Sequence, residues 1–207
     1  MKKRIDTIIF DFGNVLLTWD PHRVYDPWFG SREKADWFLQ NICTLAWNGE
    51  IDAGKSIAAG TEELCAKHPG WEREIRLYFE RWIEMIGPEV DGMYELVTEL
   101  KAAGYRTLGL TNWSLETFCK VSDHRIFALM DGFVISGAEH CLKPGPEIFR
   151  ILLDRYGLRP EQCVFIDDSP VNAKGAEAVG ITGICFKGAS ALRQELERVL
   201  QDVKDSD

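Results

Sequence analysis

Ile5–Phe10 is a largely apolar, β-branched-rich run without hydrophobic–polar alternation, and it stops abruptly at Asp11. A strand of that kind is buried on both faces, as the strands of a parallel sheet are when helices cover both sides. The rest of the chain repeats the pattern. Met93, Leu96, Val97 and Leu100 form a helical stripe before Gly104, and Arg106–Leu110 reads as a strand ending at Thr111-Asn112. Gly132–Ser136 is a further short strand. Phe149, Leu152, Leu153 and Tyr156 mark a helix opened by Pro144 and Pro146 and closed by Gly157. Cys163–Ile166 and Thr182–Phe186 are two more strands, with an alanine-rich helix between them. Strands alternating with helices predict an α/β fold with a doubly wound, right-handed parallel sheet.

From about Trp19 to Gly87 the character changes. Six of the seven tryptophans lie in this segment and strand-like runs disappear. Ser31 is placed to cap a helix carrying Trp37 and Phe38. Ile75, Phe79, Trp82, Ile83 and Ile86 predict one long helix. The expected organisation is therefore a core of residues 1–17 and 88–207, interrupted after its first strand by a small all-helical insert over 18–87. The acidic C-terminal segment predicts an amphipathic helix through Leu196, Val199 and Leu200, then a solvated tail from Asp202.

The formal net charge of −9 argues against a nucleic-acid or anionic-membrane surface. No stretch of eighteen apolar residues exists, and Thr7–Phe10 is too short for the apolar core of a signal peptide. The six cysteines form no CxxC pair and read as reduced thiols, and the four histidines show no metal-ligand spacing. The expectation is a cytoplasmic protein, monomeric or a weak homodimer.

In an open parallel sheet, ligands bind at the carboxyl ends of the strands. Asp11, Thr111, Lys143 and the Asp167-Asp168 pair stand at or just after such ends, and only this fold would bring them together. Adjacent acids after a buried strand repel each other unless a cation offsets them. A carboxylate, a hydroxyl, a lysine and paired acids suit phosphoryl transfer: the carboxylate attacks phosphorus, Mg²⁺ bridges the acids and the phosphate, and the other groups neutralise its oxygens.

Ile-Ile-Phe-Asp11-Phe-Gly-Asn-Val-Leu, Leu-Thr111-Asn, Lys143-Pro and Phe-Ile-Asp167-Asp168-Ser-Pro-Val-Asn172 resemble, in order and spacing, the four motifs of the haloacid dehalogenase (HAD) superfamily. The resemblance spans about residues 4–188, and the place of the insert is similar to the small helical cap of the subgroup with sugar phosphatases and 2-haloacid dehalogenases. It implies Asp11 as nucleophile and Mg²⁺ ligand, with the Gly13 carbonyl, Asp168 and Asp167 completing the metal site. It implies Thr111 and the amide of Asn112 as phosphate holders and Lys143 as the neutralising charge. Asn14 and Trp113 join Asn112 as substrate-binding candidates, and Trp19, Trp47, Asn48 and Glu50 are candidate pocket residues of the insert. The implied partner is a small phosphorylated metabolite.

One position departs from the family pattern. Its phosphatases usually carry a second Asp two residues after the nucleophile, where this chain has Gly13. Three explanations stay open: a substrate with a good leaving group, such as a sugar 1-phosphate; a proton supplied by Asp20 or a residue of the insert; or lost catalysis and mere binding of a phosphorylated ligand. The Gly-Asn form of the first motif resembles that of a bacterial subgroup containing an α-glucose-1-phosphate phosphatase. Dehalogenation, which needs no metal and puts an aromatic hydroxyl at the Gly13 position, is the alternative chemistry.

Overall fold

The first strand, β1 (Thr7–Phe10), is buried at every residue. A short ribbon follows, in which β2 (Leu17–Trp19) pairs antiparallel with β3 (Ile86–Glu89). Between them lie α1 (His22–Phe29), α2 (Arg32–Asn41), α3 (Leu45–Asp52), α4 (Ile57–Lys67), α5 (Glu72–Glu80) and α6 (Trp82–Met85). The chain returns through α7 (Met93–Ala102), β4 (Arg106–Thr111), α8 (Leu115–Phe118), β5 (Gly132–Ile135) and α9 (Ser136–Glu139). It ends with α10 (Pro146–Tyr156), β6 (Cys163–Asp167), α11 (Pro170–Glu177), β7 (Thr182–Cys185) and α12 (Ala189–Asp202). The computed structural model describes residues 5–202, so positions 203–207 of the expected tail lie outside the described residues.

The five core strands form one sheet in the order β5-β4-β1-β6-β7, with every pair parallel. Side chains alternate across it. Ile8, Phe10, Val164 and Ile166 join the larger apolar cluster, which continues into the insert, while Ile9, Leu108, Leu110 and Phe165 pack with α10 residues Ile148, Phe149 and Leu152. Because β1 lies between β4 and β6, the strand order reverses around it, and that reversal leaves a crevice at its carboxyl end.

The periodic signals hold up. The four apolar residues of the α7 stripe are all buried. Pro146 occupies the first turn of α10, and Gly157 ends that helix at φ +61°, a left-handed conformation that glycine adopts without strain. Ser31 caps α2 by accepting from the Lys34 amide. No described helix is long and apolar enough to cross a membrane.

Two expectations need correction. The single helix over Ile75–Ile86 is two helices: α5 stops at Glu80, α6 runs only from Trp82 to Met85, and Ile86 opens β3. Pro88 biases the residue before it away from helical geometry. Gly87 also passes so close to β2 that an added Cβ would meet Thr18 Oγ1 at 2.2 Å. Ile83, counted on the buried face, is 47% exposed. The insert is likewise not free of strands at its edges, since β2 and β3 straddle both expected boundaries. Within it, Tyr25, Phe29, Phe38, Trp71 and Tyr78 form a continuous aromatic core.

Candidate active site

Asp11 follows the last residue of β1, and its amide donates to Ile166 of β6 at 2.8 Å, so the backbone ladder fixes its position. One side-chain oxygen, Oδ1, accepts from the Phe12 amide at 2.7 Å and lies 2.9 Å from Lys143 Nζ. The same ammonium reaches Asp167 Oδ2 at 2.7 Å and the Leu110 carbonyl at 2.9 Å. Lys143 is thus almost wholly buried between two carboxylates. Burial by itself would drive its pKa down, but the charges of Asp11 and Asp167 outweigh that and hold the ammonium above its ordinary value. Burial pushes Asp11 up to about 6; the Lys143 charge pulls it down, and Asp167 adds to the rise.

Lys143 is carried by a loop, and Asn112 holds that loop. The Asn112 amide nitrogen donates to the Lys143 carbonyl at 3.0 Å, and its oxygen accepts from the Lys143 amide at 2.9 Å. The Asn112 side chain therefore acts as a two-bond clamp on the lysine backbone. Asp167 is fully buried and ringed by donors: Lys143, the Ser169 amide at 2.9 Å, and Asn172 Nδ2 at 3.0 and 3.2 Å. It serves Lys143 more directly than it serves the cavity. Asp168 is exposed at the rim, yet the protein on its inner side strips water from the carboxylate, and this, followed by the charge of Asp167, raises its pKa.

A cavity of about 330 Å³ opens at this end of the sheet. The core contributes Asp11, Gly13, Thr111, Trp113 and Asp168 to its wall, and the insert contributes Leu45, Asn48, Asp52 and Trp82. Asn14 and Asn112 also reach it. Asn14 adopts φ +55° and accepts from the Trp19 amide at 2.9 Å, so it braces the ribbon beside the site. Asp11, Asp167 and Asp168 each offer a carboxylate oxygen within 4.8 Å of the others. Three acids against one lysine leave an excess of negative charge that a divalent, oxygen-preferring cation would neutralise.

Of the insert residues singled out in the sequence, Trp19 and Asn48 line the cavity. Trp47 instead packs on Tyr78 and Phe79 and donates to the Gly60 carbonyl at 3.0 Å, and Glu50 pairs with Lys55. Asp20 accepts from the His22 amide at 2.9 Å, as a turn residue does, and is absent from the cavity wall. Trp113 lies on the wall, packed against Phe12, Phe118 and Trp82.

Sequence reasoning missed Asp52, the last residue of α3. A signal was present: a carboxylate in the last turn of a helix opposes the helix dipole and is locally unfavourable. Its Oδ1 accepts from the Ser114 amide just beyond β4 at 3.0 Å, and its carbonyl accepts from Ser136 Oγ at 2.6 Å. It ties the insert to the core.

A family model described as haloacid dehalogenase-like hydrolase matches residues 5–180. The chain is 25% identical over 193 residues to the sesquiterpene phosphatase astK of Aspergillus oryzae, covering 93% of this chain and 95% of that one. It is 31% identical over 107 residues to the chloroplast flavin mononucleotide hydrolase 1 of Arabidopsis thaliana, covering 52% of this chain but only 44% of that protein's length. Its fold matches that of a HAD family enzyme of Bacteroides thetaiotaomicron solved with magnesium and inorganic phosphate, at TM-score 0.68 and 21% identity over 89% of this chain and 96% of the other. With a model match that spans most of the chain and all four motif regions on one sheet edge, the protein belongs to the haloacid dehalogenase-like hydrolase family.

Proposed function

We propose that this hydrolase is a Mg²⁺-dependent phosphatase acting on a small phosphate monoester, with a sugar phosphate the favoured class, through an aspartyl-phosphate on Asp11. One observation carries the reading: Asp11, on the cavity wall, stands against a buried lysine, with two further acids within 4.8 Å. The surplus of acids fits a divalent ion held by Asp11, Asp168 and the backbone at Gly13, with Asp167 beside them. When bound, Mg²⁺ would supply charge neutralisation for the phosphate oxygens.

The protein's own groups do the rest. Lys143 keeps Asp11 ionised by opposing burial, so a nucleophilic carboxylate persists at neutral pH. Its ammonium also offsets charge on the transferring phosphoryl group. Thr111, on the cavity wall, and the Asn112 amide would hold the remaining phosphate oxygens. The mixed wall of Asn48, Trp19, Trp82 and Trp113 suits a compact ligand with both hydroxyls and apolar faces. Retention of the acid pair favours phosphate chemistry over dehalogenation, which has no use for a cation. The names of two relatives, a sesquiterpene phosphatase and a flavin mononucleotide hydrolase, support phosphate-ester hydrolysis as the class. The test is inorganic phosphate release from a panel of esters, hexose 1- and 6-phosphates included, with Mg²⁺ or EDTA. Release that needs Mg²⁺ and vanishes in Asp11→Asn supports the reading; no release from any ester by folded protein overturns it.

A further inference from the structure

Hydrolysis of an ester with a basic leaving group needs a proton for the departing oxygen, and Gly13 offers none. A Cβ built at Gly13 meets nothing within 4 Å, so no neighbouring side chain occupies that space. Asp20 is spent on the turn at His22 and lies off the cavity wall. Among the described residues, three carboxylates line the cavity: Asp11, Asp168 and Asp52. The first is the nucleophile and the second belongs to the acid cluster at the strand ends.

We infer that Asp52, resting on the phosphatase reading above, is the general acid and base of this enzyme, delivered to the reacting centre by the helical insert. Its placement is over-determined. The Ser114 amide, just beyond β4, fixes the carboxylate, Ser136 Oγ at the start of α9 fixes the backbone, and Asn48 Nδ2 lies 2.7 Å from Oδ2 one helical turn back. The amide of Asn48 suits both protonation states, donating to the carboxylate and, turned over, accepting from the acid. No lysine, arginine or histidine pairs with Asp52 among the described residues. The titratable groups around it are Asp11, Tyr78 of α5, and His140, whose Nδ1 lies 3.3 Å from the Ala53 carbonyl. Burial pushes Asp52 up to about 7; the Ser114 hydrogen bond works against this, and the charge of Asp11 adds to it. A carboxyl poised there can both give and take a proton at neutral pH.

The step balances. An Asp11 oxygen attacks phosphorus and forms the acyl phosphate while the phosphorus–oxygen bond to the leaving group breaks. The Asp52 proton goes to that departing oxygen, which leaves as an alcohol. The resulting Asp52 carboxylate takes a proton from a water whose oxygen attacks the same phosphorus. The Asp11–phosphorus bond breaks, releasing inorganic phosphate and restoring the Asp11 carboxylate and the Asp52 acid. Because the acid rides on the insert, a full catalytic set exists only when the insert is seated on the core.

A series of substituted phenyl phosphates of similar size and graded leaving-group basicity tests this in the whole enzyme with Mg²⁺. Asp52→Asn keeps an acceptor for the Ser114 amide, so the insert stays tied while the proton is lost. The expected result is a kcat loss of roughly 10²–10⁴ for the most basic leaving group, shrinking toward none for nitrophenyl phosphate, whose leaving group needs no proton. Ser136→Ala, which removes the backbone tie and leaves the carboxyl, should lower turnover in the same sense as Asp52→Asn but less, most for the basic leaving groups and least for nitrophenyl phosphate. An equal loss across the series in Asp52→Asn, or no loss, would overturn the assignment while leaving the phosphatase reading intact. Failure of the wild type on every ester would remove both, and Asp11→Asn as the null control separates the two failures.

Discussion

At the scale of single residues, the site is organised around one buried positive charge. Lys143 bridges Asp11 and Asp167, is itself clamped through its backbone by Asn112, and lies 5.2 Å above the Phe165 ring. A buried pair that loses one partner leaves an unpaired charge in a low-dielectric setting, typically a cost of about 3–5 kcal/mol. Lys143→Met is therefore expected to destabilise the protein by that order in metal-free buffer, measured by urea unfolding; a change near zero would mean that the two acids find other compensation. Much at this scale was legible beforehand. Asp11, Thr111 and the acid pair sit at the ends of strands that the sequence marks plainly, so knowing the strands places them; Lys143, expected at a strand end as well, stands on the loop between α9 and α10 and is held at the site by Asn112. Asp52 was not legible in the same way. Its approach to the cavity depends on how the insert docks against Ser114 and Ser136, and no local pattern encodes that docking.

Among the elements, β1 and β4 show how closely the scaffold behind the site is packed. Phe12, just past Asp11, is fully buried against Phe118, Phe127 and Phe133. Gly109 of β4 leaves room for that ring, and a Cβ added there would meet Phe12 Cζ at 2.3 Å and Phe133 Cβ at 2.9 Å. Gly109→Ala should cost about 1–3 kcal/mol through overpacking, read as a lowered denaturation midpoint. A stability equal to wild type would show that the Phe12 cluster can shift freely, and with it the residue next to the nucleophile. The elements that the sequence pattern recovered are those whose pattern matches their burial: the runs of β1 and β4, buried without alternation, and the helical stripes of α7 and α10. The break between α5 and α6 escaped it because Trp82 continues the apolar spacing of Ile75 and Phe79 past Arg81 and is itself buried, though on a separate short helix. The single turns α8 and α9 are too short to carry a periodic signal.

For the whole molecule, the fold puts three acids and one lysine on one edge of a parallel sheet and closes that edge with a helical insert tied down at Asp52. A ligand that binds only the folded state stabilises it, by about 2.7 kcal/mol at a hundred times its Kd. Millimolar Mg²⁺ is thus expected to raise the Tm of the wild type and to leave Asp168→Asn unmoved; an equal rise in both would place the ion elsewhere. The measurement closest to the central claim is phosphate release from the ester panel, wild type beside Asp11→Asn, with Mg²⁺ and with EDTA. The account predicts turnover of at least one small ester that requires Mg²⁺ and disappears in the variant. Turnover retained in Asp11→Asn, or indifferent to EDTA, would contradict it.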